Sequence, residues 1–224
     1  MKDAMFCFQC QETMRNTGCT SRGVCGKPAD VANLQDLLIY LLKGIAFWGT
    51  RARGMGVIHE DTNLFVAQAL FATITNANFD PDRFVDYIRE AIQRREALRA
   101  EAQARCEELH GNPCTGNGPD WAGWQPESYE IEVLLEKATQ VGVMADETLN
   151  EDIRSLRELI TYGLKGMSAY IDHAYVLDET DSDLLHFIQE MLEATTNDKL
   201  TVEELTDLVL KTGEMGLRAM ALLD

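Results

Sequence analysis

The sequence predicts an all-α protein, and three observations carry that prediction: the placement of prolines, the period of the apolar residues, and a repeat of the whole pattern. The five prolines are Pro28, Pro81, Pro113, Pro119 and Pro126. Two stand where helices should start and three cluster between Gly111 and Glu127, so the long remaining segments lack the residue that breaks a helix. Leu34, Leu37, Leu38, Leu41, Leu42, Ile45 and Trp48 follow the i, i+3, i+4, i+7 rule of a helix face. The stripe returns 122 residues later as Leu156, Leu159, Ile160, Leu164, Met167 and Tyr170, with Lys43-Gly44 matched by Lys165-Gly166.

Taken in order, residues 1–28 show no periodicity and form a cysteine-rich loop. Pro28 then opens a helix over about 29–55 with Asp30 in its first turn. Ile39, Tyr40 and Phe47 add apolar character to further sides of this helix, which predicts that it lies between two layers. Helices over about 61–77 and 81–109 complete the first copy, the last capped by Asp80. On that helix Arg89, Arg94, Arg95, Arg99 and Arg105 interleave with Asp86, Glu90, Glu96 and Glu101, which reads as a solvated face of i, i+4 pairs. Gly111 to Pro126 is a loop, and Glu127 to Val141 a bridging helix. The second copy predicts helices over about 151–177, 182–196 and 202–222, the last capped by Thr201. The expected organisation is therefore a loop over 1–28, a three-helix bundle over 29–110, a linker and bridging helix over 111–150, and a second three-helix bundle over 151–224. Gly44 and Gly166 are expected to mark close approach between packed helices, for reasons of packing alone.

The chain of 224 residues is 46% hydrophobic, enough for a sizeable core, and carries a net charge of -17. That balance argues against nucleic acid as a partner, since phosphate binding needs a cationic face. Met1 to Phe8 offers no basic segment followed by an apolar one, and the apolar run Leu37 to Leu42 is cut by Lys43. A cytoplasmic protein without a membrane partner is expected.

Four cysteines, Cys7, Cys10, Cys19 and Cys25, crowd the first 25 residues in the order C-x2-C-x8-C-x5-C. Four thiolates on so short a stretch can converge on one point, as the ligands of an iron-sulfur cluster or a structural zinc do. Zinc ribbons usually supply two Cys-x-x-Cys knuckles, whereas only Cys7 and Cys10 form one here. Gly18, Gly23 and Gly26 beside the ligands let backbone pass close to inorganic sulfide. The spacing favours iron-sulfur over zinc, and both over disulfides. Cys106, His110 and Cys114 form a second, weaker pattern, C-x3-H-x3-C. With no fourth ligand evident, they read as incidental thiols and a helix-capping histidine. Glu107 and His110 make one Glu-x-x-His, but a di-iron bundle needs two. His59, His173 and His186 stand apart and read as surface or satisfied core residues.

Met5-Phe6-Cys7-Phe8-Gln9-Cys10-Gln11-Glu12-Thr13, Thr17-Gly18-Cys19-Thr20, Gly23-Val24-Cys25-Gly26-Lys27 and Leu34-Gln35-Asp36-Leu37-Leu38-Ile39 closely resemble the N-terminus of the hybrid cluster proteins, also called prismane proteins or hydroxylamine reductases. Phe71 to Asn78, Asp152 to Leu159 and Met220 to Asp224 extend the resemblance over the whole chain. It implies that Cys7, Cys10, Cys19 and Cys25 hold a proximal [4Fe-4S] cubane, a [2Fe-2S] form occurring in relatives with wider spacing. It also implies a helical domain of two three-helix bundles. Family members continue into two α/β domains whose ligands hold a hybrid iron-sulfur-oxygen cluster, where hydroxylamine is reduced to ammonia and nitric oxide to nitrous oxide. No residue set in this chain matches those ligands.

The expectation is an electron-transfer domain of such a reductase, excised, truncated or naturally split, whose partners are an electron-donor protein and the α/β domains. An apolar surface left for those domains could also drive homo-oligomerisation. The alternatives are a stand-alone redox sensor or carrier with one [4Fe-4S] cluster, and a zinc-stabilised interaction domain.

Overall fold

Among the described residues there are seven α-helices and no β-strand: α1 (Ala29–Gly54), α2 (Glu60–Ala72), α3 (Pro81–His110), α4 (Ile131–Ala138), α5 (Glu151–Val176), α6 (Ser182–Ala194) and α7 (Val202–Leu223). The structure, a computed structural model, describes residues 4–112, 114, 116 and 118–224; Pro113 and the first three residues, on which parts of the sequence reading fall, lie outside them.

Capping residues fix where helices begin. The side chains of Asp80, Asn150 and Asp181 each accept from two backbone N–H groups of the first turn. Thr201 and Glu204 form a reciprocal capping box at α7. At the other end of α3, Gly111 takes a φ of +70° and donates its N–H to the Glu107 carbonyl at 2.8 Å. The helix ending at Ala72 is shorter than its apolar pattern predicts. The Thr73 hydroxyl donates back to the Leu70 carbonyl at 2.7 Å and Thr75 takes a φ of +36°, which no α-helix continues through. Its counterpart ends by the same device, Thr195 donating to Leu192 at 2.7 Å. The helices of the two copies start at Ala29, Glu60 and Pro81 and at Glu151, Ser182 and Val202, preserving the spacing of the sequence repeat. The bridging helix is confined to α4.

Packing departs from the expected grouping. The long helix α1 lies along α3 and then α6, while α5 lies along α7 and then α2; α1 and α2 touch only marginally. Each pair of long helices thus takes the middle helix of the other copy, so 29–110 and 151–224 are not self-contained bundles. A periodic stripe specifies which face of a helix is buried and leaves open which neighbour covers it. α2 buries Phe65, Val66, Ala67, Ala69 and Leu70, which lie on several sides of a short helix and suit a place between partners. One hydrophobic core accordingly runs from Leu34 and Phe84 to Leu184 and Leu205.

Small and polar residues lock the exchanged helices. A Cβ on Gly49 of α1 would collide with the side chain of Gln189 on α6, whose Nε2 donates to Asn63 Oδ1 of α2 at 2.8 Å. Gly44 is crowded by the Trp121 carbonyl of the linker and by Arg95, whereas a Cβ on Gly166 would meet nothing within 4 Å. The expectation of close approach therefore fails at Gly166, and at Gly44 the linker backbone is the neighbour. Arg95 also leaves the solvated face assigned to it. It is fully buried and donates to the carbonyls of Trp124 (2.6 Å) and Trp121 (3.3 Å) and to Glu96 Oε1 (3.0 Å). Tyr40 of α1 and Lys137 of α4 both donate to Asp120, tying down the same linker. α1 is long and apolar enough to cross a membrane, but most of that window is buried inside the protein, as in a core helix.

Candidate metal centre

Residues 4–28 fold into a loop whose hydrogen bonds set out the four thiols. Cys7 and Cys19 face each other as an antiparallel pair, exchanging N–H···O bonds of 3.0 and 2.8 Å, and Met5 N donates to the Thr20 carbonyl at 3.0 Å. The Cys10 carbonyl accepts from the backbone N–H of Thr13 (3.0 Å) and from its hydroxyl (2.6 Å), closing a turn behind that cysteine. Cys25 rides on a tighter turn, in which Gly26 N donates to Gly23 O and Gly23 N to Lys27 O, both at 2.9 Å. Two glycines are required here. Gly18 takes a φ of +137° with its missing Cβ against the Phe6 ring, and a Cβ on Gly23 would stand 3.0 Å from Cys25 Sγ.

The helices hold this loop in place. Met5 and Cys19 pack on Ala32 of α1, Asn33 Nδ2 donates to the Ala4 carbonyl at 2.9 Å, and Gln9 Oε1 accepts from Thr75 N at 2.9 Å. The off-helix turn that stops α2 is therefore one of the loop's anchors. All four thiols are free; Cys19 is buried, Cys7 and Cys10 are half-buried, and Cys25 is exposed.

A buried lysine lies beside them. Lys27 is 1% exposed and donates to Gln35 Oε1 at 2.6 Å. Burial lowers its pKa, opposed first by the charges of Cys7 and Cys25. Further in, Asp36, Lys43, Glu158 and Lys165 face one another from α1 and α5. Burial pushes Asp36 up to about 7, with Lys165 pulling the other way. Burial brings Lys165 down to about 8, with Asp36 opposing. Lys43 is also lowered by burial, with Glu158 opposing. Asp36 and Glu158 line both a small pocket beside Cys7 and a cleft of about 380 Å³ whose rim includes Arg154 and Arg157. Cysteine spacing did not point to these charges. Their trace in the sequence is the repeat itself, since Asp36 matches Glu158 and Lys43 matches Lys165.

Among the described residues, the one set of three or more sulfur, imidazole or carboxylate donors within 4.8 Å of one another lies elsewhere, at Cys106, His110 and Cys114. The two cysteines are joined in a disulfide, so they are not incidental thiols. His110 Nδ1 lies 2.9 Å from the Cys106 carbonyl oxygen, in keeping with a place in the last turn of α3. Of the other histidines, His59 pairs with Glu101 at 2.8 Å and His173 stands edge-on to Phe71. His186 is less satisfied than expected, its buried Nε2 having no hydrogen-bond partner.

Comparison with known proteins bears on this site. The model of the Prismane/CO dehydrogenase family matches residues 5–224. The chain is 48% identical over 220 residues to a hydroxylamine reductase of Petrotoga mobilis, covering 98% of this chain and 40% of that protein. It is 51% identical over 220 residues to a hydroxylamine reductase of Parabacteroides distasonis, covering 98% of this chain and 38% of that protein. A hydroxylamine reductase of Halothermothrix orenii is 49% identical over 221 residues, 99% of this chain and 39% of its own length. The chain thus spans about two fifths of the length of these relatives.

Proposed function

The chain belongs to the Prismane/CO dehydrogenase family, and on that premise we propose that it is the iron-sulfur-carrying part of a hydroxylamine reductase, holding one [4Fe-4S] cluster through Cys7, Cys10, Cys19 and Cys25. The observation that carries the reading is the set of four free thiols presented by one loop, two of them paired across Cys7 and Cys19.

When bound, such a cluster supplies one-electron transfer. The protein's own residues prepare for it. Gly23 lets the chain pass close to the Cys25 sulfur, from which a Cβ at that position would stand only 3.0 Å. The Lys27 charge sits close enough to Cys7 and Cys25 to offset thiolate charge. The exposed Cys25 gives a donor protein an edge to approach, and the inner side of the loop rests on the helices. Reduction of hydroxylamine would take place in the part of the enzyme beyond this chain, in a cytoplasmic setting.

Anaerobically prepared protein should carry about four iron and four acid-labile sulfide per chain. Cys7→Ser, Cys10→Ser, Cys19→Ser and Cys25→Ser should each lose or degrade the cluster, and Cys106→Ser should leave it intact. Stoichiometric zinc without sulfide, in iron-replete anaerobic preparations, would overturn the assignment.

A further inference from the structure

The last turn of α3 and the chain just beyond it assemble a second set of soft ligands, independent of the N-terminal loop. Cys106 and His110 are one helical turn apart and so share a face. The left-handed Gly111 then reverses the chain, bringing the Cys114 Cα to 6.0 Å from that of Cys106. The three donor atoms fall within 4.8 Å of one another. His110 Nδ1 lies 3.8 Å from Cys106 Sγ and 2.9 Å from the Cys106 carbonyl oxygen, so the imidazole nitrogen already stands beside the sulfur and needs only to turn from the carbonyl to ligate. Both cysteines are partly exposed.

We propose that Cys106, His110 and Cys114 form a binding site for a zinc-class divalent cation, open only while the two cysteines are reduced. Two thiolates and an imidazole select zinc or cobalt over magnesium and calcium, which prefer oxygen. Three protein ligands leave the fourth tetrahedral position to water. Capture releases the two thiol protons as the metal–sulfur bonds form. The disulfide is the alternative state of the same sulfurs. Starting from the metal-bound form, a small-molecule disulfide is the oxidant: one cysteine thiolate attacks it, forming a mixed disulfide and expelling the first reagent thiolate. The other cysteine then displaces the second, so the Cys106–Cys114 bond forms, the reagent's S–S bond breaks, two electrons pass from protein to reagent, and both leaving thiolates are protonated. The cation departs to water.

The test uses the full chain, reduced with a phosphine under anaerobic conditions and titrated with Co²⁺ or Zn²⁺ alone. Wild type should bind one equivalent more than Cys106→Ser/Cys114→Ser, with thiolate-to-cobalt charge-transfer absorption for that equivalent. His110→Ala should weaken that equivalent by about 10-fold or more. Adding an excess of a small disulfide to the metal-loaded wild type should release one equivalent, as peptide mapping finds Cys106 joined to Cys114. The wild-type comparison before and after oxidation needs no substituted protein, so a variant that fails to fold leaves the test intact. Equal metal uptake by reduced wild type and the double variant, or retention of the extra equivalent after mapped Cys106–Cys114 oxidation, would overturn the proposal.

Discussion

Asp36 and Glu158 hold equivalent places in the two copies, as do Lys43 and Lys165, so the charges between α1 and α5 are one acid–base arrangement written twice. Their titration makes stability depend on pH with a definite sign. Asp36 rises from 3.8 to about 7 on folding, so its contribution is fully present below 3.8 and lost as pH climbs through about 7. Lys165 falls from 10.5 to about 8, so its contribution is fully present above 10.5 and lost as pH drops through about 8. The arrangement is therefore least favourable near neutrality. Asp36→Asn should flatten the fall in urea midpoint across the window from 3.8 to about 7; an unchanged slope would show that Asp36 does not titrate there. A second residue-scale prediction concerns the loop: Gly18→Ala combines a positive φ with a clash against Phe6 and should cost roughly 1–3 kcal/mol, seen as a lower denaturation midpoint. That one loop presents four free thiols was legible because the cysteines lie close together along the chain. Lys27 and Asp36 were not, because a charged residue beside an apolar stripe reads as solvent-facing until the opposing helix is in place.

Arg95 shows the same difficulty at the scale of the element. Ile88, Ala91, Ile92, Leu98 and Ala102 are buried along one face of α3, and Arg95 falls on that stripe in register. Its position in the period marked it as interior, while its interleaving with acidic neighbours suggested a wet face. The carbonyls of Trp121 and Trp124 resolve the conflict, since the linker brings acceptors into the core to meet the guanidinium. Arg95→Ala would strand both carbonyls and open a cavity beside Gly44, at a cost of about 3 kcal/mol or more. Arg95→Lys should rescue little, because an ammonium cannot reproduce the planar fork. Equilibrium unfolding in urea measures both, and a loss of under about 1 kcal/mol for alanine would mean that the linker is held by Tyr40, Asp120 and Lys137 alone. Helix ends were legible to the extent that they depend on side chains next to them. The caps at Asp80 and Thr201 are of that kind; the left-handed Thr75 is fixed by Gln9, 66 residues away.

At the scale of the whole molecule, the repeat identified the copies and their helices, but its natural corollary, two contiguous bundles, does not follow. α2 packs on α5 and α6, and α6 on α1. α7 is covered more thinly, with Leu205, Thr212 and Ala219 buried in a single seven-residue line and Leu210, Leu217 and Met220 exposed. That face suits a covering layer. Leu210→Glu/Leu217→Glu should therefore reduce any concentration-dependent association seen by light scattering without lowering the denaturation midpoint. The exchange of middle helices has a sharper consequence. Residues 1–126 contain α2 without α5 or α6, so the apolar residues that α2 turns to those helices would lose their cover, at roughly 1.5–3 kcal/mol for each large side chain exposed, while Phe65 keeps Tyr87 and Arg94 of α3. Such a loss is a sizeable part of the stability of a whole domain. Each of the fragments 1–126 and 127–224, made separately, should show reduced helicity and broad, weakly cooperative unfolding. Mixing them in equal amounts should restore helical circular dichroism and a single transition, because each half carries the helix the other's long pair requires. If 1–126 alone unfolds cooperatively with its full share of helicity, the contacts that α2 makes with α3 through Phe65 and Thr62 suffice to hold it, and the exchange would be a choice among near-equal arrangements rather than the basis of the fold.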